Sequence, residues 1–556
     1  MLSNTDITIS ESQTEANELQ AEAEAGAFAE NKPSAGRRIA SAALILMAGT
    51  ILSRFLGVGR ESTIAFLFGA DAPTDAFTIA NHVATIVFDL LISGTVSAAL
   101  VPVFSEYAQR TEDRAEFGRV VSTIITLAGI FLVLSVGILE IFAQPLVNFM
   151  GIGYPPEVQE LAFVMTQWVL PGVFFMGISG VIMAALYSLH RFVYPAFTSV
   201  LFNIAIIACA FTLSGLWGVK SLAVGLVIGA FAMVALQLPG LRDIPIRPRL
   251  ELSHPAVRKI LKLYAPVGLS VIVSSIALVI DRSLASQVGQ GAISAMRYAT
   301  TLVQFGLGIV SAAISLASLP TLSQFFTNGD EGGFKRTLSG GLRLVTVLVL
   351  PAAALLLALS IPLVSFIFKH GEFGETDQNL TVLALRFYVI GLPFAAVDQV
   401  LLFAFYARKN TITPAMIGIA QFAVYLTIAY GTYGTWGMPG LVLASSAQLA
   451  FHAVVTAVFL LRAMREAGGL RGYGIGTTAL KAGGASVALA IISFGVWWLL
   501  TEVAGIKDSN IVTEAILLGI PALVGFALYA VLVWQMRLPE VELVAGKIVG
   551  RLRRKR

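Results

Sequence analysis

From residue 39 onward the chain is a succession of long apolar runs separated by short polar breaks. A helix rises about 1.5 Å per residue, so about 20 apolar residues cross the hydrocarbon of a bilayer. That template predicts spans near 39–69, 74–104, 120–147, 160–188, 194–214, 221–240, 263–287, 293–322, 344–368, 378–407, 412–432, 438–461, 482–501 and 511–536. Several are longer than a perpendicular crossing needs, so they tilt, bend or run past the bilayer. The fold class this predicts is an all-α polytopic membrane protein with about fourteen transmembrane helices.

The polar breaks carry the orientation, because Lys and Arg concentrate in cytoplasmic loops. Loops after even-numbered spans hold nineteen such residues, from Arg110 to Lys481, against Lys220, Lys369 and Lys507 after odd-numbered spans. Both tails are basic next to the membrane. Both termini are therefore expected in the cytoplasm of a bacterium, flanking a multi-pass protein of its inner membrane. An even number of spans follows.

The chain also resembles itself at a displacement near 220 residues. Phe117-Gly118-Arg119 faces Phe334-Lys335-Arg336, and Gln144-Pro145-Leu146-Val147 faces Ile361-Pro362-Leu363-Val364. Leu170-Pro171 faces Leu392-Pro393, and Tyr187 to Ala196 faces Tyr406 to Ala415. The repeat covers six spans, so both copies share one orientation and are expected to be related by an axis along the membrane normal. Two parallel six-helix repeats would face a central cavity, with two further C-terminal helices appended. The expected divisions are a disordered cytoplasmic tail (1–36), an N-terminal lobe (37–242), a cytoplasmic linker (243–262), a C-terminal lobe (263–466), two additional helices (467–540) and a basic tail (541–556).

Composition agrees: 56% of residues are hydrophobic and 13% charged, about half the charge of a soluble domain. The net charge of +4 is small, so bulk electrostatics says little about partners; no nucleic-acid partner is expected. Cys209 is the one cysteine, so no intrachain disulfide and no cysteine metal site exist. The five histidines lack ligand spacing. There is no nucleophile–base pair and no glycine-rich phosphate loop, so no metal, cofactor or enzymatic activity is expected. Residues 1–36 carry Glu11, Glu15, Glu18, Glu22 and Glu24 with too little apolar surface to offset ordering.

Five arginines remain inside spans: Arg54, Arg60, Arg282, Arg297 and Arg386. Each costs at least about 2.5 kcal/mol at mid-membrane depth unless it faces water or a partner. Arg60-Glu61 and Asp281-Arg282 can neutralise each other locally, and snorkelling toward a span end accounts for Arg282 and Arg386. Arg54 lies too deep for that. Arg54 and Arg60 are six residues apart, on different faces of a straight helix. Gly57 and Gly59 between them permit a bend that would turn both into one cleft. A planar guanidinium donates two parallel hydrogen bonds and keeps its charge, which suits a diphosphate. Asp75 is expected near the outer rim of the same cleft.

The chain resembles the MurJ (MviN) lipid II flippases of the multidrug/oligosaccharidyl-lipid/polysaccharide exporter superfamily over roughly residues 38 to 540. Ser53-Arg54, Leu56-Gly57, Gly59-Arg60, Phe68-Gly69 and Thr74-Asp75-Ala76-Phe77 carry the likeness. So do Gly94, Ala98 to Phe104, His370-Gly371-Glu372-Phe373, Gly391-Leu392-Pro393-Phe394 and Phe405-Tyr406-Ala407-Arg408. The resemblance implies a flippase whose V-shaped cavity binds the pyrophosphate and sugars of lipid II. Arg54, Arg60 and Asp75 match cavity positions important in that family. The departures are Phe88-Asp89 where some members carry a basic pair, and Ser93 where they carry an acid. The family's eighth-span arginine falls at Thr301, and Arg297, one turn earlier on that face, is the candidate replacement. The sodium site of some members is not recognisable at Gln421 and Tyr425. The implied partners are membrane lipid and a lipid-linked oligosaccharide diphosphate, driven by a coupling ion or the membrane potential. A flippase for another polyprenyl-diphosphate glycan and a small-cation antiporter of the MATE branch are the alternatives. A cavity holding Arg54 and Arg60 disfavours the second.

Overall fold

The structure, a computed structural model, describes residues 44–92, 99–110, 114–464, 469–470, 472–508, 510–538 and 540, without the side chains at 87, 90–92, 109–110, 265–270, 273–274 and 309–320. The expected tails at 1–36 and 541–556, and the motif residues Ser93, Gly94 and Ala98, lie outside these residues. Helices account for almost all of what is described, with no strand among the described residues.

The first lobe comprises α1 (44–68), α2 (Ala72–Ile92), α3 (Val101–Arg110), α4 (Arg114–Met150), α5 (Pro156–Ser188), α6 (Val193–Trp217) and α7 (Lys220–Gln237). The second comprises α8 (Pro255–Ser286), α9 (Ala292–Thr327), α10 (Glu331–Ala358), α11 (Ser360–Phe368), α12 (Glu375–Ala407), α13 (Ile412–Trp436) and α14 (Met438–Ala463). α15 (Ile475–Trp498) and α16 (Ile511–Gln535) follow. Ten of the described helices are long and apolar enough to cross a membrane. In its described residues, every predicted run falls mainly on helix. The second falls on α2 and α3, and the ninth on α10 and α11. The runs at 39–69, 74–104, 263–287 and 293–322 each include residues or side chains outside the described set.

The repeat reappears in packing and in backbone detail. In the first lobe α5 packs on α2, α4 and α7, and α6 on α7; in the second α12 packs on α9, α10 and α14, and α13 on α14. Each α5-type helix ends in the same turn. Leu189, His190 and Arg191 donate to the carbonyls of Ala185, Tyr187 and Leu186; Arg408, Lys409 and Asn410 donate to those of Ala404, Tyr406 and Phe405. His190 and Lys409 both sit at φ 58°, a left-handed conformation costly for a side-chain-bearing residue. The halves differ at one proline. Pro145 is absorbed within α4, whereas Pro362 lies in the first turn of α11, just past a break at Leu359. Proline has no N–H to donate and its ring meets the carbonyl four residues back.

The last two helices pack on each other, with α15 against α10. Tyr529 of α16 donates to the Val347 carbonyl of α10 at 2.7 Å. Large apolar side chains such as Ile141, Leu216, Ile491 and Leu523 stand exposed around the outside, as a lipid-facing surface requires. Trp217 stacks edge-on against Trp168, over which Lys220 lies at 5.9 Å. Such aromatics mark the level where hydrocarbon gives way to head groups. The two lobes leave between them a cleft walled by α1 and α9.

Candidate functional site

Two of the five in-span arginines, Arg54 and Arg60, line that cleft, and a third, Arg297, is tied to Arg60 through Glu61. α1 runs as uninterrupted helix through Gly57 and Gly59, so it is not unwound there. A Cβ at either glycine would meet nothing within 4 Å, so both leave open space rather than a hinge. Side-chain length brings the arginines together instead. Arg54 and Arg60 lie about 120° apart around a regular helix, yet both line one cavity of about 240 Å³ opposite Thr300, Thr301 and Gln304 of α9. Arg54 crosses to the second lobe and donates to the Gln304 carbonyl at 2.8 Å. Its guanidinium lies flat against Gly308, where a Cβ would collide with it.

Arg60 turns back to its neighbour. Its Nη2 donates to Glu61 Oε1 at 2.7 Å, and the other carboxylate oxygen lies 2.8 Å from Arg297 Nη1 of α9. The Glu61 side chain is 2% exposed, Arg297 12% and Arg60 28%. One buried carboxylate thus joins two arginines from two lobes, leaving a net positive charge. Arg297 also lies over the rings of Tyr298 at 5.1 Å and Phe77 at 5.9 Å, which stabilises a cation. Nε of Arg60 and Nε and Nη2 of Arg297 are buried without a hydrogen-bond partner among the described residues. Buried donors left open are costly. Thr301 lines the cavity, with its hydroxyl turned back to the Arg297 carbonyl.

The other two arginines do not join them, and neither snorkels freely into water. Arg282 is 11% exposed; it pairs with Asp281 at 3.4 Å and donates to His82 of α2 at 3.3 Å. Asp281 accepts in turn from the Tyr425 hydroxyl. Arg386 donates to Ser360 at the start of α11.

Asp75 is not open to the cavity in this conformation. It is fully buried and joins the lobes on the face opposite the basic loops. Its carboxylate accepts from the Tyr154 hydroxyl at 2.6 Å, the Gly291 N–H at 2.6 Å and the Ser294 N–H at 2.7 Å. Gly291 and Ser294 open α9, so Asp75 of the first lobe caps a helix of the second, where free N–H groups and the helix dipole favour an anion. Gly153 of the α4–α5 loop donates to Ser286 at the end of α8, and Glu372 donates to the Phe66 carbonyl. The Tyr298 hydroxyl reaches the Gly69 carbonyl at 2.8 Å. Gly291 is at φ 79° and Gly371 at φ 64°, and a Cβ on either would strike a carbonyl of the α1–α2 region. The lobes are therefore sealed together on this face. Asp71, in the α1–α2 loop, is held above the ordinary carboxylate range by partial burial and by Asp377 and Glu372 nearby.

Glu61 as an interlobe tie, Gln304 as the acceptor for Arg54 and Tyr154 as the partner of Asp75 were not readable from sequence. The only local signal was the acid next to Arg60.

This fold, two helical lobes with a cationic cleft between α1 and α9, defines an all-α polytopic membrane protein. The sequence profile of the family described as lipid II flippase MurJ matches residues 64–512, and the chain belongs to that family. It is 30% identical over 436 residues to a lipid II flippase MurJ of Burkholderia cenocepacia, covering 77% of this chain and 84% of that one. It is 31% identical over 424 residues to a probable lipid II flippase MurJ of Vibrio cholerae, covering 74% and 80%. Among solved structures, a lipid II flippase MurJ in an inward closed conformation superposes with a TM-score of 0.73 at 23% identity, covering 89% of this chain and 99% of the other. A MATE family multidrug transporter in an inward-facing conformation superposes at 0.65 and 17% identity, covering 76% and 98%. Both likenesses are of fold.

Proposed function

We propose that this chain carries lipid II, a lipid-linked peptidoglycan precursor, across the cytoplasmic membrane by alternating access, with Arg54, Arg60 and Arg297 taking the diphosphate of the head group. The observation that carries this reading is the meeting of Arg54 and Arg60 in one interlobe cavity, with Arg297 of the second lobe tied to Arg60 through Glu61 beside it. A diphosphate suits that arrangement: its oxygens accept parallel pairs of hydrogen bonds and its charge offsets the surplus of the Arg60–Glu61–Arg297 group. Arg297 supplies the charge that the family carries one turn later, at the position of Thr301. Asp75 acts on the substrate indirectly, as a latch whose release opens the sealed face.

In this cycle the apo protein is closed where Asp75 caps α9. Head-group binding draws Arg54 off the Gln304 carbonyl and removes an interlobe tie. The lobes then rock about the cleft, driven by a coupling ion or the membrane potential. Both termini stay in the cytoplasm.

The test is depletion of the native protein with complementation by variants. Arg54→Ala and Arg60→Ala should each abolish complementation while still reaching the membrane, and lipid II should accumulate on the inner leaflet. Lysine at either position should rescue poorly, because a point charge does not reproduce the fork. Full activity of the Arg54→Ala, Arg60→Ala double variant, or accumulation of a different lipid-linked precursor, would overturn the proposal.

A further inference from the structure

The linker between the lobes is a basic band with too few acids to balance it. After Leu241 it runs beside α4, where Arg247 N–H donates to Ser122 and Arg249 N–H to Thr126. It then folds back, so that Glu251 meets Arg119 and His254 meets Glu116, and enters α8 at Pro255. Arg249 shares Glu251, and Lys259 pairs with Glu106. Arg242, Arg247, Arg258 and Lys262 are exposed with no ion pair among the described residues. Arg258 and Lys262 lie one turn apart on α8, a spacing at which like charges repel.

The first described turns of α1 lie near this band. Gly49 of α1 packs against Ala196 in the first turn of α6, and Tyr194 of that turn packs against Gly240, two residues before Arg242. Residues 1–36 carry Asp6, Glu11, Glu15, Glu18, Glu22, Glu24 and Glu30 against Lys32 alone. Glu11, Glu15, Glu18 and Glu22 recur at intervals of four, three and four, which places them on one face of a helix.

We propose that residues 1–36 dock on the basic band formed by 242–254 and the first turns of α8, with the Glu11–Glu22 stripe facing Arg242, Arg247, Arg258 and Lys262. Alone, the segment is too poor in apolar residues to hold a structure; paired with the band, the stripe gives it a reason to form one. The chain between Glu18 and residue 44 is long enough to reach any point on this face, so charge rather than tether length selects the band. The same cations would otherwise attract anionic lipid head groups, and docking of the tail screens them from that lipid.

The test uses the full chain with Cys209 replaced by Ser and a protease site inserted between residues 37 and 44. Glu18→Cys is paired with Arg258→Cys, or with Lys409→Cys as the control on the second lobe. After oxidation and cleavage, the tail should stay attached through a disulfide in the Arg258 pair and not in the Lys409 pair. This should hold in nanodiscs of zwitterionic lipid and of mixed anionic lipid alike. Glu11→Gln, Glu15→Gln and Glu22→Gln together should lower the yield about tenfold, since each exposed ion pair contributes little alone and several act together. Equal capture at Lys409, unchanged capture after neutralisation, or capture lost in anionic nanodiscs because lipid occupies the band would each overturn the proposal.

Discussion

Glu61→Gln removes the one carboxylate that holds Arg60 and Arg297 together. Its two contacts are 2.7 and 2.8 Å long, and its side chain is 2% exposed. Unit charges about 4 Å apart attract by about 4 kcal/mol at an effective dielectric of about 20. Removing one partner of a buried pair costs about 3–5 kcal/mol, because the other charge is left uncompensated. Water reaches part of Arg60, so the lower end applies, about 3 kcal/mol. The assay is thermal challenge of the detergent-solubilised protein followed by size-exclusion chromatography, with and without inorganic pyrophosphate. Glu61→Gln should lose its monodisperse peak at a lower temperature than the parent protein. Pyrophosphate should narrow that gap, because it supplies the counter-charge the variant lacks. A variant as stable as the parent without the anion, or a gap that pyrophosphate leaves unchanged, would refute the reasoning that Glu61 is the resident counter-ion of the cleft.

Three further outcomes follow from the same geometry. Asp75→Asn replaces an acceptor oxygen by an amide that meets the N–H groups of Gly291 and Ser294 donor to donor, so disulfide formation between Ile152→Cys and Gln287→Cys across the sealed face should fall. That seal should also respond to pH: because burial and neighbouring acids raise Asp71 above its ordinary 3.8, closure holds this proton more tightly and should strengthen as pH falls through the raised value, read as more of the same cross-link. Asp71→Asn should give the high yield at neutral pH and lose the dependence. Reporter fusions after Arg556 and within 369–377 should report opposite sides of the membrane, and the same side for both would sink the orientation.

The helices were legible because a bilayer imposes a length and a composition that no soluble element needs to meet. The duplication was legible because proline and glycine positions constrain backbone, and backbone survives when side chains drift. His190 and Lys409 share a conformation although nothing about their side chains is alike. The arginines of the cleft were legible as charges out of place. Their partners were not, since Glu61 meets Arg297, Asp75 meets Gly291 and Arg54 meets Gln304 across more than two hundred residues, and no local spacing encodes such a pairing. No unwinding at Gly57 and Gly59 is needed to bring Arg54 and Arg60 to one cavity, because long side chains cover the angle between the two positions.

The seal opposite the basic loops includes two close main-chain approaches, Gly291 against the Ala70 carbonyl and Gly371 against that of Phe66. Contacts of this kind depend on two backbones approaching to van der Waals distance. They are also indifferent to what side chains stand nearby, with one exception. A single methyl group at either glycine has no room on the closed side; opening relieves that collision and leaves only the ordinary cost of a side chain at a left-handed φ. Alanine at Gly291 or Gly371 is therefore a population switch, able to hold the transporter in the state that this structure does not show.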